Sequence, residues 1–188
     1  MTNRTGLTLI VLAALAYTAE LAGAQSAVGD NVKRTAAAFA GHWSFHGSVT
    51  EPGSTTAVAL TAVMDCKPAV SGAAVACSLS AKVAGSPVTA AMVIGFNAAD
   101  QRVYWMEISS SGEYHAHRGS WRGDTVEFEP LVTQTEHGSS TERLQVAFPS
   151  TGTLILRSTT TTTDGASTIE ARATRHAATA TTARRAAP

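Results

Sequence analysis

From Gly41 onward, apolar residues occupy every second position in run after run, and each run ends in a cluster of turn-forming residues. A period of two places successive side chains on opposite faces of an extended chain, so each run reads as a strand with one apolar face. Trp43, Phe45, Gly47 and Val49 share a phase, with His42, Ser44, His46 and Ser48 opposite. Val58, Leu60, Ala62, Met64 and Cys66 follow, then Val75, Cys77, Leu79, Ala81 and Val83. Met92, Ile94 and Phe96 continue the pattern, as do Val126 with Phe128, and Leu144, Val146 and Phe148. The turn clusters are EPGS at Glu51, SGA at Ser71, GSP at Gly85, NAAD at Asn97, SSSG at Ser109, RGD at Arg122, HGSS at His137, PSTG at Pro149 and TDG at Thr163. They recur about every ten residues, as sequential hairpins require. No helix-period segment lies between them, which argues against parallel βαβ units. The stretch Val103 to Ile108 is apolar on both faces, so periodicity does not orient Tyr104 or Trp105.

Sequential hairpins with one apolar face bury it most simply by closing on themselves, which also removes exposed strand edges. The expected fold is therefore all-β, an antiparallel up-and-down barrel of about 8–10 strands, wide enough to hold side chains or one small ligand. Just ahead of it, Asp30 is placed to cap a helix whose apolar face is Val32, Ala36 and Phe39. Such a short helix must pack on something to persist.

The N-terminus has the three parts of a secretory signal peptide: a charge at Arg4, an apolar core from Leu7 to Tyr17, and the small residues Ala22-Gly23-Ala24. A membrane anchor would need about 20 consecutive apolar residues, and Glu20 interrupts the stretch. The expected organisation is a signal peptide over 1–24, a short segment and helix over 25–40, the barrel over 41–176 and a low-complexity, disordered tail over 177–188. It implies a secreted or periplasmic protein with no membrane span in the mature chain. Export to an oxidising compartment makes a Cys66–Cys77 disulfide the expected pairing. Both cysteines lie on the apolar face of adjacent strands near their turn, where cross-strand Cβ atoms come within bonding reach. The chain carries 14 basic and 14 acidic residues. With no net charge it has no long-range attraction for phosphate backbones, so nucleic acid is not an expected partner.

Gly41-His42-Trp43, at the start of the first strand and after a short helix, resembles the opening of lipocalin-like (calycin) barrels. The resemblance extends through AGHWSFHG, the Cys66–Cys77 hairpin, GFNAADQRVYWMEISSSGEYHAHRGSW, the strand Thr125 to Glu129 and DGASTIEARATRH, together spanning about residues 36 to 176. The chain is similar over that span to small bacterial exported proteins of uncharacterised function with such a barrel. The resemblance implies that Trp43 plugs the closed end and stacks against an arginine of the last strand, Arg172 or, as second choice, Arg175. Nitrobindin-like haem proteins share the barrel class and bind haem through a histidine near the C-terminus, where His176 stands.

Tyr114-His115-Ala116-His117 is the most suggestive local feature. On a strand His115 and His117 point the same way, together with Gly119 and Trp121. Two imidazoles at this spacing offer hydrogen bonds to a ligand or two nitrogens to a metal, but no third metal ligand is fixed by spacing. The simpler reading is that they bond neighbouring polar groups at the barrel mouth. Trp43, Trp105 and Trp121 divide between ligand wall and core. Glu107 and Glu113 have no spacing that pairs them, and no nucleophile elbow, HExxH or phosphate loop appears. The leading expectation is a non-enzymatic binding protein for a small lipophilic ligand, contacted by Trp105, His115, His117 and Trp121, with no cofactor. The alternatives are an envelope interaction module with a packed barrel, and a haem or metal barrel using His176 or the His115/His117 pair.

Overall fold

The computed structural model describes residues 29–135 and 138–176. The expected signal peptide and low-complexity tail lie outside the described residues. A helix, α1, covers residues 29–39. Eleven strands follow: β1 Gly41–Thr50, β2 Ala57–Ala69, β3 Ala74–Val83, β4 Ser86–Asn97, β5 Arg102–Ser109, β6 Tyr114–Arg122, β7 Thr125–Phe128, β8 Leu131–Thr135, β9 Gly138–Ser150, β10 Thr153–Thr162 and β11 Gly165–His176. Each turn cluster of the sequence falls at a junction between strands. At the two-residue turn Ala84-Gly85, φ values of +50° and +85° make the mirror-image turn that matches strand twist.

Every pairing is antiparallel, and β11 returns to pair with β1 from His176 opposite His42 to Thr168 opposite Thr50. Ten strands close the ring in the order β10-β11-β1-β2-β3-β4-β5-β6-β7-β9, with β9 bonded back to β10. β8 is the eleventh. The arm after β6 breaks at Glu129-Pro130: β7 pairs with both β6 and the far half of β9, whereas β8 pairs with β9 between Gly138 and Glu142. The last bond from this arm to β6 is Glu129 N–H to the Arg118 carbonyl, 2.8 Å. Proline has no N–H to continue the ladder. Among the described residues, β6 and β8 share no ladder above that point.

The expected phase sets the inside of the barrel, and Trp43, Met64, Val75, Ile94, Val126, Val146 and Leu154 are essentially inaccessible. Gly47 and Gly119 hold inward positions for a steric reason. A Cβ on Gly47 would lie 2.2 Å from the Glu170 carbonyl oxygen, and one on Gly119 2.6 Å from that of Glu127. Close backbone approach at such points lets strands curl into a ring. Cys66 and Cys77 face each other in register and are disulfide-bonded, with Cα atoms 4.1 Å apart.

One end of the ring is stoppered by α1. Val32, Thr35, Ala36 and Phe39 form its inner face, at helical spacing. Phe39 sits edge-on to Trp105 and Phe148, with ring centroids 5.8 and 5.0 Å away. Trp43 donates from Nε1 to the Phe39 carbonyl at 2.9 Å. The guanidinium over the Trp43 ring, 4.4 Å from its centroid, belongs to Arg175. Arg175 also donates to the Ala37 and Ala38 carbonyls, satisfying the helix's last turn. The assignment of this part to Arg172 is corrected: strand alternation puts Ala171, Ala173 and Arg175 inside and leaves Arg172 exposed outside. Asp30 is also displaced from its expected role, because α1 already includes Gly29 and Asp30. A capping residue type marks a helix start only to within a residue or two. Trp105 faces in and is buried, whereas Tyr104 faces out and donates to Asp100 at 2.5 Å. Among the described residues, no helix is long and apolar enough to cross a membrane.

Candidate functional site

Away from α1 the interior is not filled. A cavity of about 220 Å³ lies among the inward side chains of the strands' middle and outer halves. Its wall is apolar where Phe45, Met64, Leu79, Met92 and Leu156 meet. Against them stands one polar group: Glu107 from β5, His115 and His117 from β6, Glu142 from β9 and Ser158 from β10. All five follow the inward phase of their strands. Glu107 continues Val103 and Trp105, and Glu142 precedes Leu144 and Val146, so the pleat alone turns their carboxylates inward.

The polar group is connected. Ser158 Oγ donates to Glu142 Oε1 at 2.8 Å. The other oxygen, Oε2, lies 3.2 Å from His115 Nδ1 and 3.6 Å from His117 Nε2. Trp105 Nε1 donates to Glu107 Oε2 at 3.0 Å. His117 is 3% exposed, and its Nδ1 has no hydrogen-bond partner. His115 is more open, at 37%. Burial pushes the Glu107 carboxyl above its ordinary range, and neighbouring Glu142 and Glu113 add to the rise. The Trp105 hydrogen bond and His115 act the other way. Burial likewise pushes His117 below the ordinary imidazole range, opposed by Glu142. Desolvation thus works against charge on both Glu107 and His117, set against a largely apolar wall. His115, His117 and Glu142 present three ligand atoms within 4.8 Å of one another, the one such cluster found among the described residues.

Trp105, His115 and His117 all line the cavity. Trp121 does not. It faces inward but sits at the stoppered end, donating from Nε1 to Thr35 Oγ1 at 2.9 Å beneath the Arg34 guanidinium, 3.8 Å from its ring centroid. Its ring rests on Phe148. The correction has a simple cause: six residues of strand separate His115 from Trp121 by about 20 Å, so a shared face is not a shared height. His42, His46 and His176 lie on the outer wall, where His176 Nε2 meets Ser44 Oγ at 2.8 Å and its ring lies 5.7 Å from that of His42. Glu107, Glu142 and Ser158 were not singled out by sequence reasoning. The available signal was a carboxylate standing in phase with apolar neighbours.

No protein-family model matches the chain, and no curated protein does. Solved structures do. An S-type phycobiliprotein lyase from Guillardia theta superposes with a TM-score of 0.54 at 10% identity, over 77% of this chain and 92% of that one. A redesigned β-barrel bound to DFHBI aligns over 73% of this chain and 99% of its own, at 13% identity and a TM-score of 0.43. At this identity the likeness to the lyase is one of fold alone.

Proposed function

We propose that the protein is an exported, non-enzymatic binding barrel that takes one small, largely apolar molecule. The observation that carries this reading is the internal cavity, apolar on most of its wall and polar at one edge. Its volume of about 220 Å³ exceeds that of a benzene-sized cavity, about 150 Å³, and falls short of a drug-sized pocket, roughly 300–1,000 Å³. A ligand of one or two rings fits, with a hydrogen-bonding group directed at Glu107, His115, His117 and Glu142. The likeness of fold to a phycobiliprotein lyase is in keeping with this use of the shape. Secretion or a periplasmic location rests on the signal-peptide pattern and agrees with the Cys66–Cys77 disulfide. The haem alternative draws no support from His176, which faces outward.

Fluorescence titration of the purified protein with a panel of one- and two-ring lipophiles tests the proposal. A saturable, one-site change in tryptophan emission is expected, because Trp105 lines the cavity. Ala62→Phe, which places a ring in the cavity, should abolish it while the protein still melts cooperatively. Absence of saturable binding across the panel would refute the reading.

An interaction module is the second reading, and one observation favours it. Val93, Met106, Ile108 and Tyr114 are 39%, 40%, 55% and 62% exposed and form an outer strip, Val93 opposite Met106 and Ile108 opposite Tyr114. Exposed apolar strips of this kind mark contact surfaces. This reading requires a partner whose capture is lost when Ile108 and Tyr114 are both replaced by Lys.

A further inference from the structure

We infer that His115, His117 and Glu142 bind one divalent transition-metal ion, of which Zn²⁺ is the representative, at the polar edge of the barrel cavity. The inference goes beyond small-molecule binding and does not depend on it. It starts from spacing. In a tetrahedral site with nitrogen and oxygen ligands about 2.0–2.2 Å from the metal, neighbouring ligand atoms stand roughly 3.3–3.6 Å apart. His115 Nδ1 and His117 Nε2 stand 3.2 and 3.6 Å from the same carboxylate oxygen, Glu142 Oε2. Little movement is needed to place one ion between the three.

The rest of the geometry agrees. The two histidines are held at i and i+2 on a paired strand, and Glu142 comes from β9 across the opening left where β8 departs from β6. Ser158, itself 6% exposed, donates to Glu142 Oε1 and so orients the carboxylate with Oε2 toward the imidazoles. Such outer partners are what metal-ligating carboxylates normally have. His117 is buried, and its Nε2 stands 3.6 Å from Glu142 Oε2, just beyond hydrogen-bond distance. An ion between Nε2 and Oε2 would join two atoms that stand slightly too far apart to bond each other directly. The cavity lining holds two glutamates and two histidines but neither Lys nor Arg, so a cation meets no like charge there. Two imidazole nitrogens select Zn²⁺, Co²⁺, Ni²⁺ or Cu²⁺ over Mg²⁺ and Ca²⁺, which take oxygen ligands. Three protein ligands would leave a fourth coordination position for water or another small ligand.

The test is titration calorimetry of the untagged full chain with ZnCl₂ after chelator dialysis, joined to visible absorption of the Co²⁺ form. One Zn²⁺ per chain is expected. His117→Ala and Glu142→Gln should each remove stoichiometric binding and the Co²⁺ ligand-field bands, and Ser158→Ala should weaken binding by roughly 10- to 100-fold. A His42→Ala/His176→Ala variant, altered only on the outer wall, should bind as the parent does. Melting curves confirm that each variant is folded, and Glu142→Gln keeps the shape if His117→Ala does not. No stoichiometric Zn²⁺ binding by the parent, or binding that survives Glu142→Gln in a folded protein, would overturn the assignment. Lipophile titration in the presence of chelator separates that failure from failure of the binding-barrel proposal.

Discussion

Glu107 shows how burial can dominate a single residue's chemistry. Its carboxyl is held above the ordinary range chiefly because the barrel interior disfavours charge. The folded chain therefore holds this proton more tightly than the unfolded chain. Stability attributable to Glu107 is intact below the unfolded pKa and is lost as pH rises through the raised folded value. Glu107→Gln, which can still accept from Trp105 Nε1, should accordingly raise the melting temperature at neutral pH in chelator-treated buffer. The gain should shrink toward pH values below the ordinary carboxylate range. Paired thermal melts across pH check both parts, and equal melting temperatures at neutral pH would contradict the desolvation argument. Trp121 supplies the opposite case. Trp121→Phe removes its hydrogen bond to Thr35 and should cost about 1 kcal/mol in denaturant unfolding, with ligand titrations unchanged. Both residues also show what the sequence could not reveal. Alternation tells which face a side chain takes, but neither its height along the barrel nor which inward carboxylates meet. Glu142 lies 27 residues beyond His115, and the successive pairing of β6 with β7 and β7 with β9 brings their strands side by side.

The secondary-structure elements were more legible, for a physical reason. One apolar face per strand leaves a single register that buries it, because a one-residue slip would turn every side chain over. That is why Cys66 and Cys77 read as neighbours on one apolar face, and they pair in register. Replacing both with Ala should cost about 3 kcal/mol, the loop-closure contribution for a bridge of this span, measured by denaturant unfolding. Gly119 makes a sharper demand. An added Cβ meets the backbone of Glu127 and the Phe128 ring, neither of which is a flexible side-chain end. Gly119→Ala should therefore destabilise by about 1–3 kcal/mol or more, and a melt indistinguishable from the parent would refute the close approach of β6 and β7. The break between β7 and β8 was not anticipated. Glu129-Pro130 reads as an ordinary strand end, and nothing local shows that the chain then rejoins β9 while leaving β6.

At the scale of the whole molecule, the ring and its stopper divide the interior in two. Near α1, Phe39, Trp43, Trp121 and Phe148 fill the space and Arg175 ties the helix to the last strand. Farther along, smaller residues such as Ala62, Ala81 and Ala171 face inward and leave the cavity open. A barrel of about eight to ten strands can be packed solid or hollow. The sequence announced the barrel but not its filling, because filling depends on which side chains share a layer. The most direct measurement is amide NMR of the chelator-treated full chain titrated with a neutral two-ring lipophile such as 2-naphthol. Saturable shifts are predicted at cavity-facing positions of β5, β6 and β9, around Trp105, His117 and Leu144, and they should vanish in Ala62→Phe. Shifts confined to the outer strip at Ile108 and Tyr114, or no saturable shifts, would contradict a hollow, ligand-binding barrel.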